Sequence, residues 1–341
     1  MAGLRGAKES LVKSFTKMVS VTLKDIARET GLAVSTVSYA LRGAPNVPEA
    51  TAARVRAAAE QLGYRINARV AELMAQVRSG RGAGAGDRLA LVWVEERAEH
   101  GLGREVAEGA RARAAERGYG LEEFNLAEAG GNPRRLADIL TARGIPGVVF
   151  APVFGRSKVV LDWPWASFSM AVIGTAEWNA PLSRAAHHHY EAMRLALEGL
   201  ARAGAKRPAA WLDAETNERA HRGWQAAWLA YGSAGASRRL WLASGEPGSK
   251  EIAAWLTRTA ADAVVVSDVS QYKLLKGAGW KGVVVTLNRR ARSEIAGVNQ
   301  GYEIIAGHAV DLVVAQLQRN ERGLPEAPRA LLFPGRWVEK G

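Results

Sequence analysis

Between Val21 and Leu62 apolar residues recur three and four positions apart in three short runs, each closed by turn residues, so the spacing predicts three helices. Thr22, followed by Leu23, Lys24 and Asp25, reads as a capping box, and Ile26 and Ala27 supply the apolar stripe before Gly31 stops the helix. A second helix is expected from Ala33 or Val34 to Leu41, with Val37, Ala40 and Leu41 on one face, until Gly43, Pro45 and Asn46 break it. Pro48 opens the third, where its missing N–H costs nothing, and Glu49 complements the positive end of the helix dipole. Val55, Ala59 and Leu62 form its inward stripe, and Gly63 ends it. Two short helices joined by a glycine-containing turn, the second rich in Ser and Thr, make a helix-turn-helix pattern.

A shorter amphipathic stretch, 68–77, leads into a glycine-rich run from Ser79 to Gly86. A dinucleotide fingerprint would have to follow a strand and open a helix. These glycines precede the strand expected at Leu89–Val94, so they read as a linker. Beyond Arg88 the period changes. Apolar runs at Leu89–Val94, Gly147–Ala151, Met170–Ile173, Pro208–Leu212, Leu240–Ala243, Ala263–Val266 and Val283–Leu287 alternate with helical segments such as Ala107–Gly118, Ala192–Gly204 and Arg219–Gly232. Continuous apolar strands alternating with helices indicate parallel sheets covered on both faces. Seven or more strands fit two doubly wound lobes, whose crevice at the strand ends is the expected ligand site.

Charge sharpens this division. The 341 residues carry a formal net charge of +12, and residues 1–86 hold 13 Lys/Arg against 6 Asp/Glu, more than half of the excess in a quarter of the chain. A phosphate-facing module needs such an excess, because each neutralised phosphate releases counterions; a solvated basic face would show it too. The chain has no cysteine, which excludes disulfides and thiolate metal sites and points to the cytoplasm. No run of 18 apolar residues and no export signal is found, so no membrane span is expected. Residues 1–20 read as a flexible leader, 21–66 as the helical head, 67–86 as hinge helix and linker, and 87–341 as the two-lobed part.

Val21-Thr22-Leu23-Lys24-Asp25-Ile26-Ala27, then Thr36-Val37-Ser38, Val47, Thr51, Arg54-Val55 and Leu62-Gly63-Tyr64, resemble the amino-terminal signature of the LacI/GalR family of bacterial transcription regulators. The resemblance implies a small all-α helix-turn-helix head plus hinge helix, joined to an α/β two-lobed periplasmic-binding-protein-like domain with parallel sheets. It implies a homodimer on a pseudo-palindromic double-stranded DNA operator, a small effector of carbohydrate type, no cofactor and no enzymatic activity. By this resemblance Val34, Ser35 and Tyr39 read bases, while Thr22, Thr36, Ser38 and Asn46 are candidate DNA contacts, although Val37 reads as packing. Ala33 stands where such helices usually start with Ser or Thr, a lost cap of about 1 kcal/mol. Val34 and Ser35 offer no bidentate bonding, so readout leans on thymine methyls, shape, water or Tyr39. Tyr64 to Leu73 resembles the family's hinge helix, with Asn67 and Arg69 as DNA contacts and Leu73 as a minor-groove wedge; Ile66 replaces a frequent proline, and Arg78 and Arg81 are candidate phosphate contacts.

In the large domain the resemblance brings forward Gly223-Trp224, but Ala220 stands where an arginine is usual, so Arg219, His221 or Arg222 would substitute. Asp268 and Asn288 follow strands and face the expected crevice, which makes them, with Trp224, the candidate effector contacts. Trp163, Trp165 and Trp178 read either as sugar-stacking faces or as core or dimer packing. His187-His188-His189 lacks the further ligands that a zinc site requires and reads as a helix start near the crevice. Two other classes compete. A solute-binding protein shares the lobes but leaves residues 21–73 without a role, and a sugar-processing enzyme would need a catalytic motif such as Gly-x-Ser-x-Gly or a phosphate loop, neither of which is present.

Overall fold

The computed structural model describes residues 21–41, 47–64, 88–95, 101–155, 158–232, 234–290 and 293–340. The leader and the hinge segment, with Asn46, Ile66, Asn67, Arg69, Leu73, Arg78 and Arg81, lie outside the described residues. The chain divides into two compact units, 1–82 and 83–341.

In the smaller unit α1 (Leu23–Thr30), α2 (Val34–Leu41) and α3 (Glu49–Gln61) pack pairwise on one another. Their core is small: Ile26, Ala27, Val37, Ala40, Ala52, Val55, Ala58 and Ala59 are buried, with Leu41 and Leu62 packed against them. The alanines let the helices approach closely enough for so few side chains to exclude water. The Asp25 carboxylate accepts from both the amide (2.9 Å) and the hydroxyl (2.7 Å) of Thr22, and these bonds hold its pKa below the usual carboxylate range. Gly31 closes α1 in the left-handed region.

The larger unit consists of two lobes. Lobe 1 is a six-stranded, all-parallel sheet in the order β2-β1-β3-β5-β7-β13, made of β1 (Arg88–Trp93), β2 (Gly120–Asn125), β3 (Gly147–Phe150), β5 (Ser169–Ile173), β7 (Ser183–His187) and β13 (Ala330–Phe333). A small β4–β6 ribbon (Lys158–Val159, Glu177–Trp178) lies beside it. Alternation along β1 shows why these strands are continuously apolar: Ala90 and Val92 enter the core with α5 (Pro133–Ala142), and Leu89, Leu91 and Trp93 enter the core with α4 (Leu102–Glu116) and α11 (Tyr302–Gln318). Helices α4 and α11 cross at Gly109, where any Cβ would lie 2.2 Å from the carbonyl of Glu303.

Lobe 2 is a sheet in the order β9-β8-β10-β11-β12-β14, made of β8 (Pro208–Asp213), β9 (Leu240–Ala243), β10 (Ala263–Val266), β11 (Val283–Thr286), β12 (Gly297–Asn299) and β14 (Arg336–Val338), parallel except for β12–β14. Helices α6 (His189–Arg202), α8 (Gly223–Tyr231), α9 (Ser249–Thr259) and α10 (Val269–Gly277) cover it, and α7 (Ala214–Arg219) follows β8. The segment expected to be a single helix from Arg219 to Gly232 is broken: α7 ends at Arg219 and α8 begins at Gly223, because His221 (φ 51°) and Arg222 (φ 55°) are left-handed. The chain passes between the lobes three times, between β7 and α6, between β12 and α11, and between β13 and β14. Among the described residues no helix is long and apolar enough to cross a membrane.

Candidate functional site

Two places gather the candidate residues. In the smaller unit, α2 presents Val34 (40% exposed) and Tyr39 (46% exposed) with the exposed Ser35, while Thr36 and Ser38 are half-buried. Val37 is fully buried against α1 and α3, so it fixes the helix and reads nothing. Ser35 and Tyr39 are four residues apart and share a face one turn long. A helix with its amino-terminal residues exposed and its opposite side in a three-helix core is suited to entering a groove of about its own width. Thr22 is exposed at the start of α1, with its hydroxyl on Asp25.

In the larger unit a cleft of about 520 Å³ opens where the strands of both lobes end. From lobe 1 the segments after β3 (Pro152–Phe154) and β5 (Gly174, Thr175) and the last residue of β7 (His187) reach it, and from lobe 2 Asp213, Ser267, Asp268, Asn288 and Arg290 do. Parallel strands place their carboxyl ends on one side, and each ends at a loop, so the wall is built from strand-end side chains. Trp224, Trp211, Phe154 and Tyr302 make much of the wall apolar and aromatic.

Its polar groups are fixed by the fold. Asp268 caps α10, its Oδ1 accepting from the Ser270 amide (3.1 Å), while Oδ2 accepts from Asn288 Nδ2 (3.2 Å) and lies 3.6 Å from Arg290. Asp213 caps α7 by accepting from the Thr216 amide at 2.7 Å. Gln300 donates from Nε2 to the carbonyl of Leu287 (3.0 Å), which fixes its amide orientation and leaves Oε1 a buried acceptor with no partner. Trp224 Nε1 and both ring nitrogens of His187 are likewise buried without a hydrogen bond.

Burial sets the protonation of the cleft. His187 is held well below the usual imidazole range, first by burial and then by the neighbouring His189 and His188. Burial and the charge of Arg219 lower His189 to about 3, and burial pushes Tyr302 up to about 12. Near neutral pH all three are uncharged. Burial and Glu303 raise Glu105.

Of the residues singled out in sequence, Arg219, Trp224, Asp268 and Asn288 line the cleft, and Asp268 and Asn288 are in contact. His221 and Arg222 do not line it: His221 meets Thr175 at 3.0 Å, and Arg222 pairs with Glu218 at 2.8 Å on the surface. Trp163 and Trp178 pack on Phe150 with centroids 5.2 and 4.9 Å apart, and Trp165 sits at its edge, so these rings belong to the lobe 1 core. His188 caps α6 by accepting from the Glu191 amide, while His187 and His189 turn to the cleft with their rings 5.1 Å apart. Sequence reading missed Trp211, Gln300, Tyr302 and Arg290. The available signal was the Asn-Gln-Gly-Tyr turn ahead of a long apolar helix, which is a lobe crossover.

Comparison with known proteins bears on both places. The family model described as "Bacterial regulatory proteins, lacI family" matches residues 22–67. Among solved structures, a transcriptional regulator CelR–cellobiose complex is similar at 20% identity, over 94% of this chain and 100% of that one, with a TM-score of 0.54. The lac repressor dimer bound to operator and the anti-inducer ONPF is similar at 16% identity, over 94% and 98%, with a TM-score of 0.52. A putative ribose operon repressor from Burkholderia thailandensis is similar at 18% identity, over 74% and 99%, with a TM-score of 0.53. No curated protein matches the chain.

Proposed function

We propose that the chain is a DNA-binding transcriptional regulator of the lacI family, whose model matches residues 22–67, and that it represses transcription as a homodimer on a pseudo-palindromic operator, under control of an uncharged carbohydrate in the cleft. The carrying observation is the hydrogen-bonding inventory of that cleft. Neutral His187 and His189 each have one donor and one acceptor nitrogen, Gln300 offers an acceptor, Trp224 a donor and Asn288 an amide. Hydroxyl groups both donate and accept, so a polyol meets this mixture, whereas an anion would leave the acceptors unpaired, at a desolvation cost of about 1–3 kcal/mol each. The aromatic wall of Trp224 and Phe154 suits the C–H face of a sugar ring. A complex with cellobiose in a relative of the same fold supports the reading.

Val34, Ser35 and Tyr39 meet base edges, and Thr22, Thr36, Ser38, Asn46, Asn67 and Arg69 hold the backbone. Leu73 wedges the minor groove from a hinge helix within residues 67–86. Ligand and operator each favour one arrangement of the lobes, so their coupling is reciprocal. The protein acts in the cytoplasm and catalyses no reaction. A thermal-shift screen of the full chain with mono- and disaccharides, nucleobases and sugar phosphates tests the ligand class. Neutral sugars should raise the melting temperature, since binding to the native state alone stabilises it. A response confined to sugar phosphates or nucleobases would overturn the carbohydrate reading, and turnover of glycosides would overturn the exclusion of catalysis.

A further inference from the structure

Three hydrogen bonds join the lobes beside the cleft, two made by Arg219 at the end of α7 and one by His221 in the break before α8. Thr175 Oγ1 of lobe 1 donates to the carbonyl of Arg219 at 2.7 Å, Arg219 Nη1 donates to the carbonyl of Phe154 at 2.7 Å, and His221 Nε2 meets the carbonyl of Thr175 at 3.0 Å. A carbonyl oxygen can only accept, so in this contact the His221 Nε2 carries the proton. The remaining Arg219 amino group, Nη2, donates to Thr216 Oγ1 at 3.1 Å. The guanidinium is therefore engaged with protein on both arms while it lines the cleft.

Each part is braced from behind. Asn217, fully buried, ties α7 to α8: it donates to Gln225 Oε1 (3.0 Å) and accepts the Arg222 amide on its carbonyl (2.8 Å). Opposite, Glu95 Oε2 accepts from the amides of Phe154 (2.9 Å) and Gly155 (3.0 Å), which fixes the acceptor that Arg219 uses. Two successive non-glycine residues in the left-handed region, His221 and Arg222, persist only where the surroundings over-determine them. That conformation aims the Arg219 carbonyl and the His221 ring at Thr175.

We propose that Arg219, His221 and Thr175 form a latch that holds the two lobes closed without a ligand, so that Arg219 is a positioning residue for closure and the ligand is anchored by other residues of the cleft. The latch sets the closed fraction of the free protein. Apparent ligand affinity and the operator-facing arrangement of the lobes scale with that fraction. Weakening the latch at His221, which does not line the cleft, changes both without removing a cleft side chain.

The test uses the full chain without ligand or DNA, so its result is independent of the carbohydrate reading. The absence of cysteine allows nitroxide labels at Glu128→Cys on lobe 1 and Lys250→Cys on lobe 2, both exposed, with labelled chain diluted in unlabelled chain to isolate distances within one copy. The parent should give one short inter-lobe distance by pulsed dipolar spectroscopy. His221→Asn removes the reach to Thr175 while keeping a residue that tolerates the left-handed region, and Thr175→Val removes the other donor without changing shape. Each should add a longer-distance population several-fold above the parent's, while Glu215→Gln on exposed α7 should match the parent. A parent already dominated by the longer distance, or both variants indistinguishable from the parent with unchanged melting temperatures, would overturn the latch.

Discussion

At the residue scale, buried imidazoles turn packing into pH dependence. His189 titrates near 3 in the folded chain and His187 well below its usual value, whereas both take up protons near 6.5 once unfolded. Between these values the unfolded chain binds more protons, so stability is complete above about pH 6.5 and falls as pH drops toward 3. Each histidine should contribute a slope of up to about 1.4 kcal/mol per pH unit. Denaturant titrations at pH 7, 6 and 5 should show this loss, and His189→Gln should make it shallower; an unchanged slope would mean that His189 is solvated in solution. Gly335 is a second such point. Its φ is 75°, and a Cβ would lie 2.7 Å from the carbonyl of Asn299 and 3.0 Å from the His187 ring, at the crossover between β13 and β14. Gly335→Ala should cost about 1–3 kcal/mol in urea unfolding.

At the element scale, α2 divides into a buried and a presented side. Val37 and Ala40 hold it in the core, and Val34, Ser35 and Tyr39 stand outside it. Tyr39→Ala should therefore leave folding nearly unchanged and reduce operator affinity by about 1–3 kcal/mol, with little effect on random duplex, as fluorescence anisotropy would show. Equal loss on both duplexes would demote Tyr39 to a backbone contact. On the other unit, Asp213 joins strand to helix: it ends β8, caps α7, and so supports the segment that carries Arg219. Asp213→Ala should cost about 1 kcal/mol of stability as a lost cap.

At the scale of the whole molecule, the basic excess in the first 86 residues and the three-crossover cleft serve the two proposed ligands separately. If the head and hinge neutralise six or more phosphates, operator affinity should drop at least about a thousand-fold between 50 and 200 mM salt. Binding of an uncharged carbohydrate neutralises no charge on the ligand and should be nearly insensitive to the same change by calorimetry. Leu73→Ala should weaken specific binding more than random binding, as expected of a wedge whose unstacking cost only a bent, specific site offsets.

Sequence alone determined the elements whose signal is local. The three head helices follow from capping, turn and stripe residues at many consistent spacings, and strands such as β3, β5 and β10 follow from unbroken apolar runs buried on both faces. Asp268 and Asn288 were legible because each stands two positions beyond the end of a buried parallel strand, where the chain leaves the sheet at the crevice. The tertiary structure decided what depends on distant neighbours. Ser183-Arg184-Ala185-Ala186-His187 carries no apolar run, yet it is the buried β7, because β5 and β13 supply its hydrogen bonds and small side chains fit between the covering layers. Trp163 and Trp211 are the same residue type. One fills a core against Phe150 and the other walls the cleft, and only the packing of the lobes separates them. Arg219 and His221 stand two positions apart beside the same motif, and a pair of left-handed residues whose cost is met by contacts with lobe 1 sends one to the cleft wall and the other to the Thr175 carbonyl.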